Sequence, residues 1–229
     1  MQEGKIEIIG TSHVASQSVS SVTAHIEGNK PEIVAVELDA RRAHALMHNI
    51  KPKLSLGLVR SIGLNGFIFF AFASFVQKKV GRIVGIEPGA DMKAAIEAAS
   101  RNNLKIALID RRIEITLQRL SQNFGWKEKS RMLFDAIFSP FSPEMKKLGK
   151  MDLTKVPSRK VIEIALGHMR NRYPSLYRAL VEERNEHMAA ALADIAAKNP
   201  GSRILAVVGA GHEAELARIL KQKLAAKNS

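Results

Sequence analysis

The stretch Lys5-Ile-Glu-Ile-Ile-Gly-Thr-Ser-His13 decides the fold, because a run of strand-forming residues ends there in a glycine turn and a helical pattern follows. The same order returns near the other end of the chain, where the apolar run Arg203–Val208 precedes Gly209-Ala-Gly-His212 and a second helical pattern. Each end is therefore predicted to form a strand, a Gly-x-x-His turn and a helix. Because open α/β sheets bind ligands at the carboxyl ends of their strands, we expect His13 and His212 to face one crevice.

Strand and helix patterns alternate between these two units. The further strands are predicted at Glu32–Leu38, Arg82–Ile86 and Lys105–Ile109. The near-continuous apolar interior of Glu32–Leu38 is typical of a strand covered on both faces. The alternation predicts an α/β fold with a central, mostly parallel sheet flanked by helices. Strand patterns vanish from about residue 124 to 200, so we expect a helical insertion before the last strand, within one domain spanning residues 1–229.

The chain is strongly basic, and its charge is unevenly distributed. The net charge is +13, and the segment from Arg41 to Ile86 holds eight Lys or Arg residues without any Asp or Glu. Such a surface attracts phosphate, acidic peptides or anionic lipid headgroups. Nucleic acid is not expected as a partner, because aromatic residues make up only 5% of the chain and no nucleic-acid-binding motif accompanies the charge.

The amino-acid types also limit the chemistry and the location. The chain has no cysteine, which excludes disulfides and thiolate metal ligands. The N-terminal Met-Gln-Glu-Gly-Lys leads directly into a strand without a signal-peptide pattern, which predicts a cytoplasmic location.

The segment Leu54–Val80 is unusually apolar. Within it, Ile62–Val76 carries no charged residue and holds five of the nine phenylalanines. These 15 residues are short for a membrane span, which needs about 20. Because their apolar side chains lie all round a helix, we expect a helix that is buried in protein or at a homodimer contact. The alternative is association with an anionic membrane surface through residues 41–82.

Polar side chains that can bind a metal or take part in catalysis follow five predicted strands: His13, Glu37 with Asp39 close by, Glu87, Asp110-Arg111 and His212. Two imidazoles and a carboxylate can hold a divalent metal ion and leave positions open for water. Such an ion lowers the pKa of its bound water and polarises a carbonyl group. Helix capping or simple hydrogen bonding is the alternative role for an isolated histidine after a strand.

Other charged residues allow both a structural and a functional interpretation. Glu37 and Arg41 lie four residues apart, which favours a surface ion pair, but a carboxylate that closes an apolar strand needs a further reason. Arg111 could clamp a carboxylate in bidentate fashion, or it could pair with a nearby acid of the chain. Glu183 and His187 share one helical face at a spacing that can bind metal but that more often forms a solvated pair.

Six short motifs together resemble the TraB family: Gly10-Thr-Ser-His13, Val36-Glu-Leu38 with Arg41, Pro88-Gly-Ala-Asp-Met92, Asp110-Arg111, Glu183-Arg-Asn185 and Gly209-Ala-Gly-His212. This family includes the pheromone shutdown protein of conjugative plasmids and archaeal relatives, and the resemblance spans nearly the whole chain. The wider group includes the Tiki proteins, which resemble metal-dependent proteases built on two Gly-x-x-His motifs and a glutamate. Two features depart from the pattern. Many archaeal relatives carry membrane helices after this domain, whereas this sequence ends at Ser229, and Asn185 stands where relatives often have Asp.

The resemblance implies that His13, Glu37 and His212 are catalytic and hold a divalent metal ion such as zinc, manganese or cobalt. We therefore expect a metal-dependent hydrolase that acts on peptides, with Arg111 and Arg184 anchoring a substrate carboxylate or the transition state. The residues expected to contact substrate are Arg41, Glu87, Asp110 and Glu183. Two alternatives stay open: a peptide-binding module that sequesters a pheromone without cleaving it, and a membrane-associated scaffold.

Overall fold

The computed structural model describes residues 6–11, 16–50, 60, 63, 89–138 and 158–227. Mixed strands and helices confirm the predicted α/β class. The elements follow one another as β1 (Ile6–Thr11), α1 (Ser16–Asn29), β2 (Ile33–Val36), α2 (Ala40–Met47), α3 (Ala90–Arg101), β3 (Lys105–Leu108), α4 (Ile113–Asn123), α5 (Trp126–Phe138), α6 (Arg159–Arg172), α7 (Pro174–Tyr177), a π-helical turn (Arg178–Glu182), α8 (Glu183–Lys198), β4 (Ile204–Gly209) and α9 (Glu213–Lys227).

The four described strands form one sheet in the order β1-β4-β2-β3. All pairings are parallel, with Thr11 opposite Gly209 and Ile33 opposite both Ile204 and Lys105. The carboxyl ends of the strands therefore meet at one edge of the sheet. The predicted parallel sheet is confirmed, and so are the helices that precede its last strand in the chain.

Helices cover both faces of this sheet. Side chains of α1 and α3 pack on one face, and side chains of α8 and α9 pack on the other. Successive side chains of a strand point to opposite faces of the sheet, and both faces are covered here. Every residue of β2 and β4 is therefore buried, which explains why the two strands are continuous apolar runs in the sequence. The most deeply buried core residues include Val22, Ile26 and Met92 on the first face and Met188, Leu192 and Leu216 on the second.

Two expectations concern residues about which little is described. The predicted strand Arg82–Ile86 lies outside the described residues, and so does almost all of the apolar segment Leu54–Val80. Among the helices that are described, none is both long enough and apolar enough to span a membrane. The expected burial of Leu54–Val80, its homodimer contact and its membrane association all stay predictions.

Candidate functional site

Glu37 lies at the carboxyl end of β2 and is fixed there by the neighbouring strand. Its backbone N–H donates to Val207 O over 3.1 Å, and its side-chain Oε2 accepts from the backbone N–H of Gly209 over 2.6 Å. The side chain is buried, with only 4% of its surface exposed. A carboxylate can therefore close this apolar strand because β4 supplies a hydrogen-bond donor and leaves Oε1 facing the sheet edge.

His212 follows the end of β4 and reaches the same place. Its Nε2 lies 3.4 Å from Glu37 Oε1, and its Nδ1 lies 2.7 Å from Oδ1 of Asn185 on α8. An amide oxygen only accepts hydrogen bonds, so Nδ1 carries the proton and Nε2 presents a lone pair. Asn185 is fully buried, and its Nδ2 has no hydrogen-bond partner among the described residues.

Arg184 connects the strand ends to one another. Its Nη2 donates to Glu37 Oε1 and, over 2.7 Å, to Asp110 Oδ2, while Nε lies 3.2 Å from both oxygens of Asp110. Its Nη1 donates to Leu180 O over 3.2 Å and lies 3.1 Å from His212 Nε2. Because a guanidinium group only donates, this last contact also requires the lone pair on Nε2.

Asp110 receives a second arginine from the start of α2. Arg42 donates through Nη2 to Asp110 Oδ2 over 2.5 Å and through Nε to Asp39 Oδ2 over 2.6 Å. The other oxygen of Asp39 accepts from the backbone N–H groups of Arg41 and Arg42, which caps the helix. The helix cap thus directs Arg42 toward the sheet edge.

Neighbouring charges shift the pKa values of Asp110 and Arg184. Burial alone would raise the pKa of Asp110, but the adjacent guanidinium groups of Arg184 and then Arg42 outweigh it and lower this pKa to about 2. Burial would likewise lower the pKa of Arg184, but Glu37 and Asp110 raise it above its usual value. Both Asp110 and Arg184 are therefore charged at neutral pH.

A π-helical turn precedes the site residues of α8. In this turn the backbone N–H of Glu183 bonds to Arg178 O, five residues earlier. The turn's carbonyl of Ala179 accepts from Arg111 Nη2 over 2.9 Å, and Arg111 also donates to Glu183 Oε2 over 2.8 Å and to Thr116 Oγ1 over 3.0 Å. Turns of this kind occur frequently at functional sites. Here the turn lies directly before Glu183, and the next two residues, Arg184 and Asn185, contact Glu37 and His212.

A buried pair at the end of β1 is a feature that sequence reasoning missed. Thr11 Oγ1 lies 2.5 Å from Asp91 Oδ2 on α3 and 3.0 Å from Val208 O on β4. Both Thr11 and Asp91 are at most 3% exposed. The contact fixes the chain two residues before His13. An acidic residue in the first turn of a helix after Pro-Gly was the available signal, but it gave no indication of its partner.

Comparison with known proteins agrees with the motifs. The model of the TraB/PrgY/gumN family matches residues 2–225. The chain belongs to this family. It is 39% identical over 225 residues to an uncharacterized protein of Methanocaldococcus jannaschii, covering 97% of this chain and 55% of that protein. It is 24% identical over 234 residues to the TraB domain-containing protein of Homo sapiens, covering 91% of this chain and 60% of the relative. The chain thus spans somewhat more than half the length of these relatives.

The structure of this TraB-family chain brings some of the predicted site residues together. These are Glu37, Asp110, Arg184 and His212. Arg111 and Glu183 pair with each other beside them, whereas Arg41 is exposed and binds Glu114 Oε1 over 2.7 Å. His187 is exposed. His13 and Glu87 lie outside the described residues.

Glu37 and His212 together fit two ligand positions of a metal ion. Two ligands of a tetrahedral ion with bonds near 2.1 Å lie about 3.4 Å apart, and Glu37 Oε1 and His212 Nε2 are separated by 3.4 Å. Metal ligands are usually held by hydrogen bonds from their outer atoms. Gly209 and Asn185 hold the two side chains in this way. Among the residues that the structure describes, no group of three or more His, Asp or Glu side chains could hold an ion.

Proposed function

We propose that this TraB-family chain is a divalent-metal-dependent hydrolase of peptides, with Glu37, His212 and His13 as the ligands of zinc, manganese or cobalt. The observation that carries the proposal is the 3.4 Å separation of Glu37 Oε1 and His212 Nε2 at the carboxyl edge of a parallel sheet. His13 is the natural third ligand, because it follows β1 in the same Gly-x-x-His pattern and β1 pairs directly with β4.

The chain's own residues would prepare the site for this chemistry. A divalent cation at the site would supply an activated water and polarise the scissile carbonyl group. Asn185 would keep the proton of His212 on Nδ1, and Gly209 would hold Glu37 so that only Oε1 faces the reaction. Arg184 would stabilise the negative charge that develops on the carbonyl oxygen, since Asp110 holds its guanidinium group at the sheet edge.

The substrate-contacting residues form the outer part of the proposal. Arg111 already donates to three protein groups, so it would bind a substrate carboxylate only by exchanging Glu183 for it. Arg41 is better placed for a substrate that approaches from solvent, because 72% of its side chain is exposed. The substrate contacts assigned to Glu87, Asp110 and Glu183 stay predictions.

Metal content and turnover test the proposal directly. We expect tag-free protein to retain close to one equivalent of metal by elemental analysis, and His13→Ala and His212→Ala to lose it. Glu37→Gln keeps the size of the side chain but removes its charge, so cleavage of an unbiased peptide library should slow by at least about 10²-fold. The proposal would be refuted if the wild-type protein, incubated with zinc, manganese or cobalt, neither bound metal nor cleaved any peptide.

A peptide-binding module is the second candidate, and one observation favours it. Arg184 donates to both Glu37 Oε1 and His212 Nε2, so these two groups have a cation between them already. A binding module predicts no turnover and a peptide affinity that tolerates Glu37→Gln but falls in Arg111→Ala. The scaffold alternative, through residues 41–82, predicts liposome binding that weakens steeply with salt.

A further inference from the structure

The contact between Arg184 and His212 occupies a group that can serve only one partner. A neutral imidazole has one ring nitrogen that accepts, and in His212 this is Nε2, because Nδ1 donates to Asn185. Arg184 Nη1 lies 3.1 Å from that nitrogen. The same guanidinium group donates to Glu37 Oε1. Arg184 therefore holds both of the atoms that would face a metal ion.

We propose that Arg184 is a built-in counter-cation of this site, which must withdraw from His212 and Glu37 before a divalent cation can bind. The inference rests on the proposed metal site and adds to it the residue that controls its occupancy. Glu37 Oε1 has two lone pairs and can be shared, but His212 Nε2 has one and cannot. Metal binding and the Arg184–His212 contact are thus mutually exclusive.

Asp110 would keep the charge of Arg184 paired after Arg184 withdraws. Its Nε lies 3.2 Å from both oxygens of Asp110, its Nη2 donates to Asp110 Oδ2 over 2.7 Å, and its Nη1 also donates to Leu180 O. Nη1 and Nη2 also contact His212 and Glu37, whereas Nε contacts Asp110. A rotation that moves Nη1 and Nη2 away while Nε stays beside Asp110 would therefore release the site with the charge of Arg184 still paired.

The arrangement also explains how the fold tolerates its buried carboxylates. Glu37 and Asp110 are 4% and 1% exposed at their side chains, and an unpaired buried charge is strongly destabilising. Arg184 pairs with both. Removing Arg184 therefore has two separable effects: it leaves buried negative charge, and it vacates His212 Nε2.

The test measures metal affinity in the full chain by calorimetry, with Co²⁺ absorption as a second readout of the number of ligands. We expect Arg184→Met to bind Zn²⁺ and Co²⁺ at least about tenfold more tightly than wild type, because a competing positive charge is removed from beside the ligands. Arg42→Met is the matched control. It removes one positive charge from the same Asp110, but Arg42 donates to Asp110 and Asp39 rather than to the metal-facing atoms. We expect it to change affinity by less than about threefold.

A double variant separates position from charge. Asp110→Asn with Arg184→Met has the net charge of the wild type, so we expect it to keep the tighter binding if Arg184 acts by occupying His212 Nε2. It also removes the buried carboxylate of Asp110, which in Arg184→Met keeps Arg42 but loses its second arginine, so it is the variant to use if Arg184→Met alone does not fold. Wild-type affinity in the double variant, or equal tightening in Arg42→Met, would overturn the inference.

The outcomes distinguish this inference from the proposed function. A wild type that binds metal with the same affinity as Arg184→Met leaves the metal site standing and refutes only the role of Arg184. A wild type and variants that all fail to bind metal refute both. In the wild type, the guanidinium ¹⁵N–¹H signals of Arg184 should shift when Zn²⁺ is added. Unchanged signals in a metal-bound sample would contradict the withdrawal.

Discussion

Two aspartates of this chain have a pKa of about 2, and they reach it by different routes. Asp110 is buried at the sheet edge, where burial pushes its pKa up and Arg184 and Arg42 together push it further down. Asp135 lies on α5, where the hydrogen bonds from Arg172 come first, burial opposes them and Tyr173 adds to them. The two equal pKa values thus have different origins. At Asp110 two arginines outweigh the effect of burial, whereas at Asp135 direct hydrogen bonds near solvent are the main cause.

The difference matters for stability, because breaking the Arg172–Asp135 pair leaves a charge that water can reach, whereas breaking the Arg184–Asp110 pair leaves a buried charge. The side chain of Arg172 is 35% exposed and that of Asp135 24%, so water can replace either partner. The side chains of Arg184 and Asp110 are 13% and 1% exposed. A charge that loses its partner there stays buried. The contribution of an ion pair to the free energy of unfolding therefore depends on how buried the pair is, and the pKa of its carboxylate does not reveal it.

The largest expected effect is that of Arg184→Ala, which removes the arginine paired with the buried carboxylate of Glu37 and leaves the buried carboxylate of Asp110 with Arg42 alone. We expect the free energy of unfolding to fall by about 3–5 kcal/mol. Arg172→Ala removes the matching arginine of the exposed pair and should lower the free energy of unfolding much less, because water can replace the lost partner. Urea denaturation followed by circular dichroism measures both losses. Similar losses for the two variants would remove the distinction between the regions.

An intermediate effect is expected from pH. The folded-state pKa of Asp110 is depressed to about 2 from 3.8, so ionised Asp110 stabilises the fold above its unfolded pKa. This contribution is lost as pH falls from about 4 to about 2, and it amounts to about 2 kcal/mol. Asp110→Asn lacks the titrating group, so its unfolding free energy should fall less over this interval than that of the wild type.

Asp135→Asn is the matched control for this pH dependence. Asp135 has the same direction of shift, but its pair is partly solvated and its contribution is reduced by screening. Between pH 5 and pH 2 the free energy of unfolding should therefore fall less in Asp110→Asn than in Asp135→Asn, because Asp135→Asn keeps the titration of Asp110. The reverse order would show that the exposed pair is the stronger one.

The smallest expected effect is that of Tyr173→Phe. Tyr173 donates its hydroxyl hydrogen bond to Asp135 Oδ2 while Arg172 holds both carboxylate oxygens. Removing one of several donors in a partly solvated place should cost up to about 1 kcal/mol, and it should let the pKa of Asp135 rise. Thermal denaturation and an NMR titration of Asp135 measure these changes. A loss larger than that of Arg172→Ala would be inconsistent with the arginine as the main partner.

Much of the sheet edge could be predicted from the sequence. Parallel strands end at one edge of the sheet, so polar residues that follow different strands are expected to lie near one another even before the packing is known. This logic anticipated that Glu37, Asp110 and His212 would lie together. The cap at Asp39 has a local sequence signal as well, because an Asp before a helical pattern supplies an acceptor to the first turn.

The partners within that edge could not be predicted, because they depend on distant segments and on helix rotation. Arg184 and Glu37 are 147 positions apart, and no local spacing links them. The i, i+4 spacing suggested a pair between Glu37 and Arg41, but Arg41 binds Glu114 instead. Its neighbour Arg42 points inward, since one residue of an α-helix turns the side chain by about 100°. The roles of Asn185, Thr11 and Asp91 likewise appear only when separate elements are packed.

The π-helical turn at Arg178–Glu182 has a consequence for how this chain can change in evolution. A helix that bonds five residues back contains one residue more than an α-helix needs for the same turn. Deleting a single residue there would restore regular pitch and rotate α7 by about 100° relative to α8. Arg111 would then lose either Ala179 O or Glu183, which lie on opposite sides of the deletion. Substitutions in this segment change one side chain at a time, whereas a change in its length would alter the alignment of two helices at once.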